Sequence, residues 1–179
     1  MVQLKAHYFR RDRHLSRDDP YRDPAALPEP AVCERCGALW RGGRWTLAGQ
    51  VRKEDLRFAR PAKVICPACR RTADAYPGGV LYLSGTFLGE HQDQILRTLR
   101  NEAEAGRARN PLDRIMAIEE TDGRMTVTTT SEKLAQRLGK AICKSCGGDL
   151  DIRFSPQEKL VRVYWSREAE AAPHPAVHA

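Results

Sequence analysis

The sequence predicts an α+β protein made of two parts. One is a small module stapled by paired cysteines, and the other is a two-layer α-β-β-α-β-β sandwich. Three observations predict this. All six cysteines fall in Cys-x-x-Cys pairs: Cys33/Cys36, Cys66/Cys69 and Cys143/Cys146. The second half of the chain alternates between helical and strand periodicity, in the order helix, hairpin, helix, hairpin. The formal net charge of +7 is concentrated, because residues 33–72 carry ten Lys/Arg against three Asp/Glu while the flanking segments are near balance.

With 179 residues the chain can form one ordinary domain, or a small domain beside a metal-stapled one. A hydrophobic fraction of 41% supports real cores, whereas 30% charged residues and 11 prolines predict irregular stretches as well. No apolar run approaches the roughly 20 residues of a membrane span. The segment "MVQLKAHYFRRDRH" lacks the apolar stretch of a secretory signal. The expectation is therefore a cytoplasmic protein with no membrane partner. In a reducing compartment regular two-residue gaps favour metal binding over disulfides.

Taken in order, residues 1–32 hold four prolines within "DDPYRDPAALPEP" and no periodic apolar face, which predicts an irregular arm. Residues 33–72 form the cysteine module, with a strand or two expected in "RWTLAGQVRKEDL". A linker over 73–87 contains the turn signal Pro77-Gly78-Gly79, followed by "VLYLS", a short strand or simple apolar packing. The α+β domain spans 88–167. Leu88, Ile95, Leu99 and Ala103 give an amphipathic helix over 88–106, with Gly106 as its stop. Ile115, Ala117, Met125 and Val127 suit strand faces, and Asp122-Gly123 is a hairpin turn.

A second helix follows. Thr129 with Glu132 fits a capping box, and Ser131 is the competing cap. Leu134, Leu138, Ala141 and Ile142 form its buried stripe, and Gly147-Gly148 ends it. "DLDIRFS" and "KLVRVYWSR" make the last hairpin, joined at "SPQE". Its inward set is Leu150, Ile152 and Phe154 with Leu160 or Val161, Val163 and Trp165. About four antiparallel strands with two helices on one face result, and the tail 168–179 is expected to fray.

Cys33-x-x-Cys36-Gly and Cys66-x-x-Cys69 carry the strongest chemical signal. A two-residue gap lets a tight turn aim both sulfurs at one ion, and Gly37 suits the positive φ that such turns need. Four thiolates predict one structural Zn²⁺ with no position left for water, supplying on the order of 10 kcal/mol of folding free energy. Redox or accidental pairs are the alternatives. Four thiolates around a dication add −2 to a segment with a surplus of seven, leaving it at +5 and still basic. Arg35, Arg41, Arg44, Trp45, Arg52, Lys53, Arg70 and Arg71 are accordingly the candidate nucleic-acid contacts. The plain alternative is a soluble surface around a metal site, and Trp40 and Trp45 suit a cover over the cysteines better than base stacking.

Cys143 and Cys146 stand at a helix C-terminus, where the dipole raises a thiol's pKa. They fit small apolar packing better than redox chemistry. A second metal site would need His174 and His178, which lie in a proline-broken tail. His7, His14 and His91 are scattered, and no catalytic set or small-molecule site is evident, so the chain is not expected to be an enzyme. Glu119, Glu120 and Asp122 read as a solvated acidic edge. Residues 128–131 favour capping over anion binding.

"CPACRR", "YPGGVLYLSGTFL", "RIMAIEETDGRMTVTTTSEKLAQRLGKAI" and "GGDLDIRFSPQEKLVRVYWSR" together resemble a family of bacterial zinc-ribbon proteins. That family is similar to the zinc-containing, KH-like part of the archaeal and eukaryotic large-ribosomal-subunit export adaptor. The resemblance covers residues 30–167 and is carried by Cys33, Cys36, Cys66, Cys69 and the TTTSEKLAQRLG turn. It implies a zinc ribbon joined to an RNA-binding α+β fold, in contact with ribosomal RNA or the large subunit. Cys143 and Cys146 depart from the family pattern.

The leading expectation is a non-enzymatic zinc protein associated with RNA or the ribosome. The alternative is a protein–protein adaptor that binds an acidic partner without nucleic acid. A thiol redox or metal-handling protein ranks behind both.

Overall fold

Two sheets organise the chain, which is mixed α+β. The computed structural model describes residues 19–21, 27–50, 60–155 and 159–169. The arm and tail predicted over 1–32 and 168–179 lie mostly outside the described residues.

The first sheet is small. Its strands β1 (Ala31–Cys33), β2 (Leu39–Arg41), β3 (Arg44–Thr46) and β4 (Ala62–Val64) lie in the order β3-β2-β1-β4. β1 and β2 are antiparallel, whereas β4 runs parallel to β1. Strands of three residues bury little apolar surface. The core here is the cysteines themselves with Ala38, Trp45 and Ala68, against which Leu27, Trp40 and Leu112 pack. The module thus begins at Ala31, slightly before the predicted boundary at 33. Helix α1 (Pro67–Ala73) follows β4, and Pro67 sits in its first turn, where a missing N–H leaves nothing unpaired.

The second sheet has five strands: β5 (Gly79–Ser84), β6 (Ile115–Thr121), β7 (Arg124–Thr129), β8 (Asp149–Phe154) and β9 (Val161–Ser166). Their order is β6-β7-β5-β9-β8. Helices α2 (Thr86–Glu90), α3 (Gln92–Arg109) and α4 (Glu132–Cys146) complete the layer. α4 packs on β5, β7, β8 and β9, and α3 packs on α4. Leu81, Leu83, Ile95, Leu99, Val127, Leu134, Leu138 and Val163 form one core between them.

Four sequence expectations need correction. The segment read as a linker over 73–87 contains β5, the central strand, which pairs antiparallel with β7 and parallel with β9. The sheet therefore has five strands rather than four and is not wholly antiparallel. A short apolar run between turn signals is what a buried central strand looks like, and Leu81 and Leu83 are fully inside. The first helix is broken at His91 into α2 and α3, and it runs past Gly106 to Arg109. Gly106 is a packing residue. A Cβ there would lie 3.2 Å from Leu134 Cδ1 and 2.8 Å from the Arg137 guanidinium, so the glycine permits close approach of α3 and α4.

The cap of α4 is Ser131, whose Oγ accepts from Leu134 N at 3.1 Å. Thr129 ends β7 instead, with its hydroxyl bonded to the carbonyls of Gly79 and Ser131. Glu132 is then the first helical residue, two positions too early to close a capping box with Ser131. The predicted hairpins are present. Asp122 and Gly123 take positive φ in the first, and Ile152 faces Val163 and Leu150 faces Trp165 in the second. Burial of Val161, with Leu160 only partly covered, fixes the register of β9.

Candidate metal centre and its basic surround

β1 ends at Cys33, and the chain turns back through Gly37, whose N–H donates to the Cys33 carbonyl at 2.8 Å. Gly37 has φ +72, the conformation predicted for it, and this turn delivers Cys36 beside Cys33. β4, alongside β1, delivers Cys66 at the N-cap of α1, and one helical turn on lies Cys69. Two sequence-distant pairs are thus brought together by one parallel strand pairing.

The four sulfurs lie within 4.8 Å of one another. Cys33 and Cys69 are 3.8 Å apart, and Cys36 and Cys66 are 3.7 Å apart. A tetrahedral ion with metal–sulfur bonds of about 2.3 Å places its sulfurs about 3.8 Å apart, so the donor set fits one metal ion. No disulfide joins them. The charges explain the need for an ion. Burial opposes ionisation of Cys33, but the N–H groups of Cys66, Cys36 and Arg35 draw its pKa down to about 6. Burial pushes Cys66 up, and the neighbouring sulfurs push it further. Four thiolates in this space repel one another unless a cation lies between them.

Part of that cation charge comes from the other sheet. Arg114, just before β6, donates from one terminal nitrogen to Cys66 Sγ at 3.2 Å, Cys69 Sγ at 3.5 Å and Cys36 Sγ at 3.6 Å. Its other terminal nitrogen lies 3.5 Å from Cys69 Sγ. Burial disfavours its charge, yet the sulfurs raise its pKa further still. The residues that aim it are consecutive. Arg114 N donates to Thr130 Oγ1 and Thr130 N donates to the Arg114 carbonyl, both at 2.9 Å. Asp113, 3% exposed, accepts from Ser131 Oγ and from the Arg137 guanidinium, both at 2.7 Å. The 129–131 turn therefore caps a helix and braces Arg114 rather than presenting an anion site. Nothing in the sequence marks Arg114, because the sulfurs its guanidinium meets are 45 or more residues away.

The basic residues divide. Arg35, Arg41 and Arg44 are exposed on the cysteine module. Arg41 and Arg44 pair across the Gly42-Gly43 turn, whose two N–H groups donate to the Glu29 carboxylate at 3.2 and 3.1 Å. Trp45 is a correction: it is 7% exposed and packs with Cys33, Cys66 and Cys69, its ring 5.6 Å from that of Trp40. It covers the cluster and is not placed to stack on a base. Arg71 is a second correction. At 5% exposure it pairs with Asp19 and lies 4.6 Å from the Tyr21 ring and 5.8 Å from that of Tyr76. Arg70 is half-buried and donates to the Tyr21 carbonyl at 3.2 Å. Arg52 and Lys53 lie outside the described residues, as do His7, His14, His174 and His178.

The third pair is in the core. Cys143 and Cys146 are 6% and 3% exposed in the cluster that includes Leu150 and Trp165. Burial and the nearby Asp149 push the Cys143 thiol up. The helix end is closed by Trp165 Nε1 donating to the Gly147 carbonyl at 2.8 Å and by Arg167 donating to that of Cys146. Among the described residues only Cys33, Cys36, Cys66 and Cys69 form a group able to hold a metal ion. Glu119, Glu120 and Asp122 are exposed, as an acidic edge should be.

No family model matches the chain, nor does any curated protein or solved structure. Among the described residues no helix is long and apolar enough to cross a membrane.

Proposed function

We propose that this chain is a non-enzymatic, cytoplasmic zinc protein that associates with RNA or the large ribosomal subunit. The ion is one structural Zn²⁺ held by Cys33, Cys36, Cys66 and Cys69. A soft four-thiolate set selects zinc over harder divalent ions and fills its coordination, leaving no position for substrate or water. The observation that carries the reading is the placement of Arg35, Arg41 and Arg44, exposed on the module that the ion would staple. An ion there fixes the spacing of guanidiniums that can grip phosphates. Arg52 and Lys53 add two positive charges to the same basic segment of the sequence. Arg70 and Arg71 do not belong to the proposed surface, because they hold the arm.

The family resemblance supports an RNA-binding α+β fold of KH-like kind. The chain contains no Gly-x-x-Gly, however, the loop with which KH modules clamp the nucleic-acid backbone. Backbone contact is therefore assigned to the arginines of the zinc module.

The test is sedimentation of lysate through a sucrose cushion at low and moderate salt, with wild-type protein and an Arg41→Ala/Arg44→Ala variant. Co-sedimentation with ribosomes that is lost in the variant and on raising salt is the expected result. Wild-type protein that stays in the soluble fraction at low salt overturns the reading. Retention of an acidic protein after RNase treatment would favour the adaptor instead.

A further inference from the structure

The face of the five-stranded sheet away from α3 and α4 carries an aromatic stack with an arginine at its edge. Side chains alternate along β5, β7 and β9. Leu81, Leu83, Val127, Val163 and Trp165 enter the core, so Tyr82, Thr126 and Tyr164 point the other way. Register places these three in one row across the central strands, Tyr82 opposite both Thr126 and Tyr164. The two phenol rings stack, with centroids 5.1 Å apart and planes 16° from parallel. The Arg153 guanidinium lies 5.0 Å from the Tyr164 ring. A groove of about 660 Å³ opens along the row, lined by Tyr82, Tyr164, Thr126, Ser84 and Arg124, with Asp122 among its lining residues.

Charge across this face is ordered. The central strands β5, β7 and β9 contain no carboxylate, and their outward side chains include Arg124 and Arg162. Neither arginine forms an ion pair with a described residue. The carboxylates Glu119, Asp149 and Asp151 stand on the two edge strands and Asp122 in the β6–β7 turn, at the groove, while Asp151 is held by Arg153 at 2.7 Å. A tyrosine pair on neighbouring strands is common as plain cross-strand packing. Packing alone does not call for a groove beside the rings or for two arginines in the same strip with no ion pair among the described residues.

We propose that this face binds a single-stranded nucleic acid, with a base stacking on the Tyr82–Tyr164 pair and phosphates meeting Arg124 and Arg162. Stacking on a ring is tolerant of sequence, and the arginines add the salt-dependent term. The occupant is a single strand rather than a duplex, because only unpaired bases offer a face to the rings. The site is separate from the exposed arginines of the cysteine module and does not depend on them.

The experiment measures fluorescence anisotropy of labelled oligo(U) and oligo(A) RNA of about 12 nucleotides, and of an RNA duplex of about the same length. Wild type is compared with Tyr82→Leu/Tyr164→Leu, which keeps apolar bulk on the strands, with Arg124→Ala/Arg162→Ala, and with Arg41→Ala/Arg44→Ala. Circular dichroism and metal content confirm that each variant is folded. The expected result is a loss of about 10-fold or more in single-strand affinity for the tyrosine variant, with duplex binding unchanged. Losing Arg124 and Arg162 weakens binding and flattens its salt dependence. Tyrosine variants that bind single strands as wild type does overturn the inference, and if Arg41→Ala/Arg44→Ala weakens them the zinc-module reading stands. The opposite pattern keeps the inference and removes that reading. A partner protein that protects this face after RNase digestion, with no oligonucleotide binding, assigns the surface to a protein and also overturns the inference.

Discussion

Arg114 and Cys66 are bonded across the two halves of the molecule: a guanidinium nitrogen at the edge of the five-stranded sheet lies 3.2 Å from a sulfur of the cysteine cluster. Four thiolates and a dication carry a net charge of −2, and a buried guanidinium offsets half of it. The contact also makes the cluster part of the joint between the sheets, because the backbone of Arg114 is clamped by Thr130. Metal state and attachment of the small module to the large one are thereby linked.

Replacing Arg114 should weaken metal binding without unfolding the large sheet. Partners of the ligands themselves typically contribute 10–100-fold in affinity, and Arg114→Ala is expected to fall in that range. Lysine keeps the charge but not the fork, so Arg114→Lys should be intermediate. Competition against a chromophoric chelator measures both. An unchanged affinity in Arg114→Ala would reduce the contact to packing.

The two kinds of cysteine should separate cleanly. Cys66→Ser removes a ligand, and the module that depends on the ion should lose both zinc and its fold. Cys143→Ala removes one sulfur from a core of leucines and aromatics, at a cost of about 1 kcal/mol, with zinc content unchanged. Metal analysis of the purified variants, together with thermal melts, decides it. Zinc retained in Cys66→Ser, or lost in Cys143→Ala, would reassign the ligands.

Ser131 serves a helix and a carboxylate at once. Its Oγ accepts from Leu134 N and donates to Asp113. Losing a cap costs about 1 kcal/mol, and a buried carboxylate that loses one donor costs about as much again. Ser131→Ala should therefore destabilise by about 2 kcal/mol, a fall of roughly 4–8 °C in Tm for a chain of this size. Ser131→Thr, which keeps the hydroxyl, should recover most of it. Differential scanning calorimetry is the measurement.

Local rules carried far in this chain, and their limits are physical. Cysteine spacing picked out the four clustered thiols, because a two-residue gap imposes the turn whatever surrounds it. The hairpin at Asp122-Gly123 and the antiparallel pairing of β8 with β9 were legible because turn chemistry and alternation agree in both. The central strand β5 was ambiguous, since "VLYLS" is apolar almost throughout and its pairing with β9 spans about 80 residues that no local signal covers. Gly106 was misread because a glycine that ends a helix and one that admits a neighbouring helix look alike in sequence. Arg71 was misplaced for a related reason, and Trp45 could be read either as a contact or as the cover it is. Residue type gives charge and ring, but burial against Cys33 or pairing with Asp19 is decided by distant chain. Arg114 could not be found at all, since its role exists only once two sheets meet.

The Asp19–Arg71 pair makes a prediction about pH. Burial opposes the charge of Asp19, but Lys159, the Tyr21 N–H and Arg71 outweigh it and hold the carboxyl below its usual value of 3.8. A depressed carboxyl contributes stability that is fully present above the unfolded-state value and is lost as pH falls through the lower folded value. Asp19→Asn removes that contribution and leaves the guanidinium of Arg71, 6% exposed, without its carboxylate. The tyrosine rings on either side keep part of the contact, so the expected cost near neutrality is about 1–2 kcal/mol. The difference between wild type and Asp19→Asn should hold at pH 5 and above, and shrink as pH falls below 3.8 and through the lower folded value. Urea denaturation of both proteins at matched pH isolates the effect, because loss of metal in acid is common to the two and cancels. A difference that persists unchanged to pH 2 would show that Asp19 acts by shape and hydrogen bonding alone.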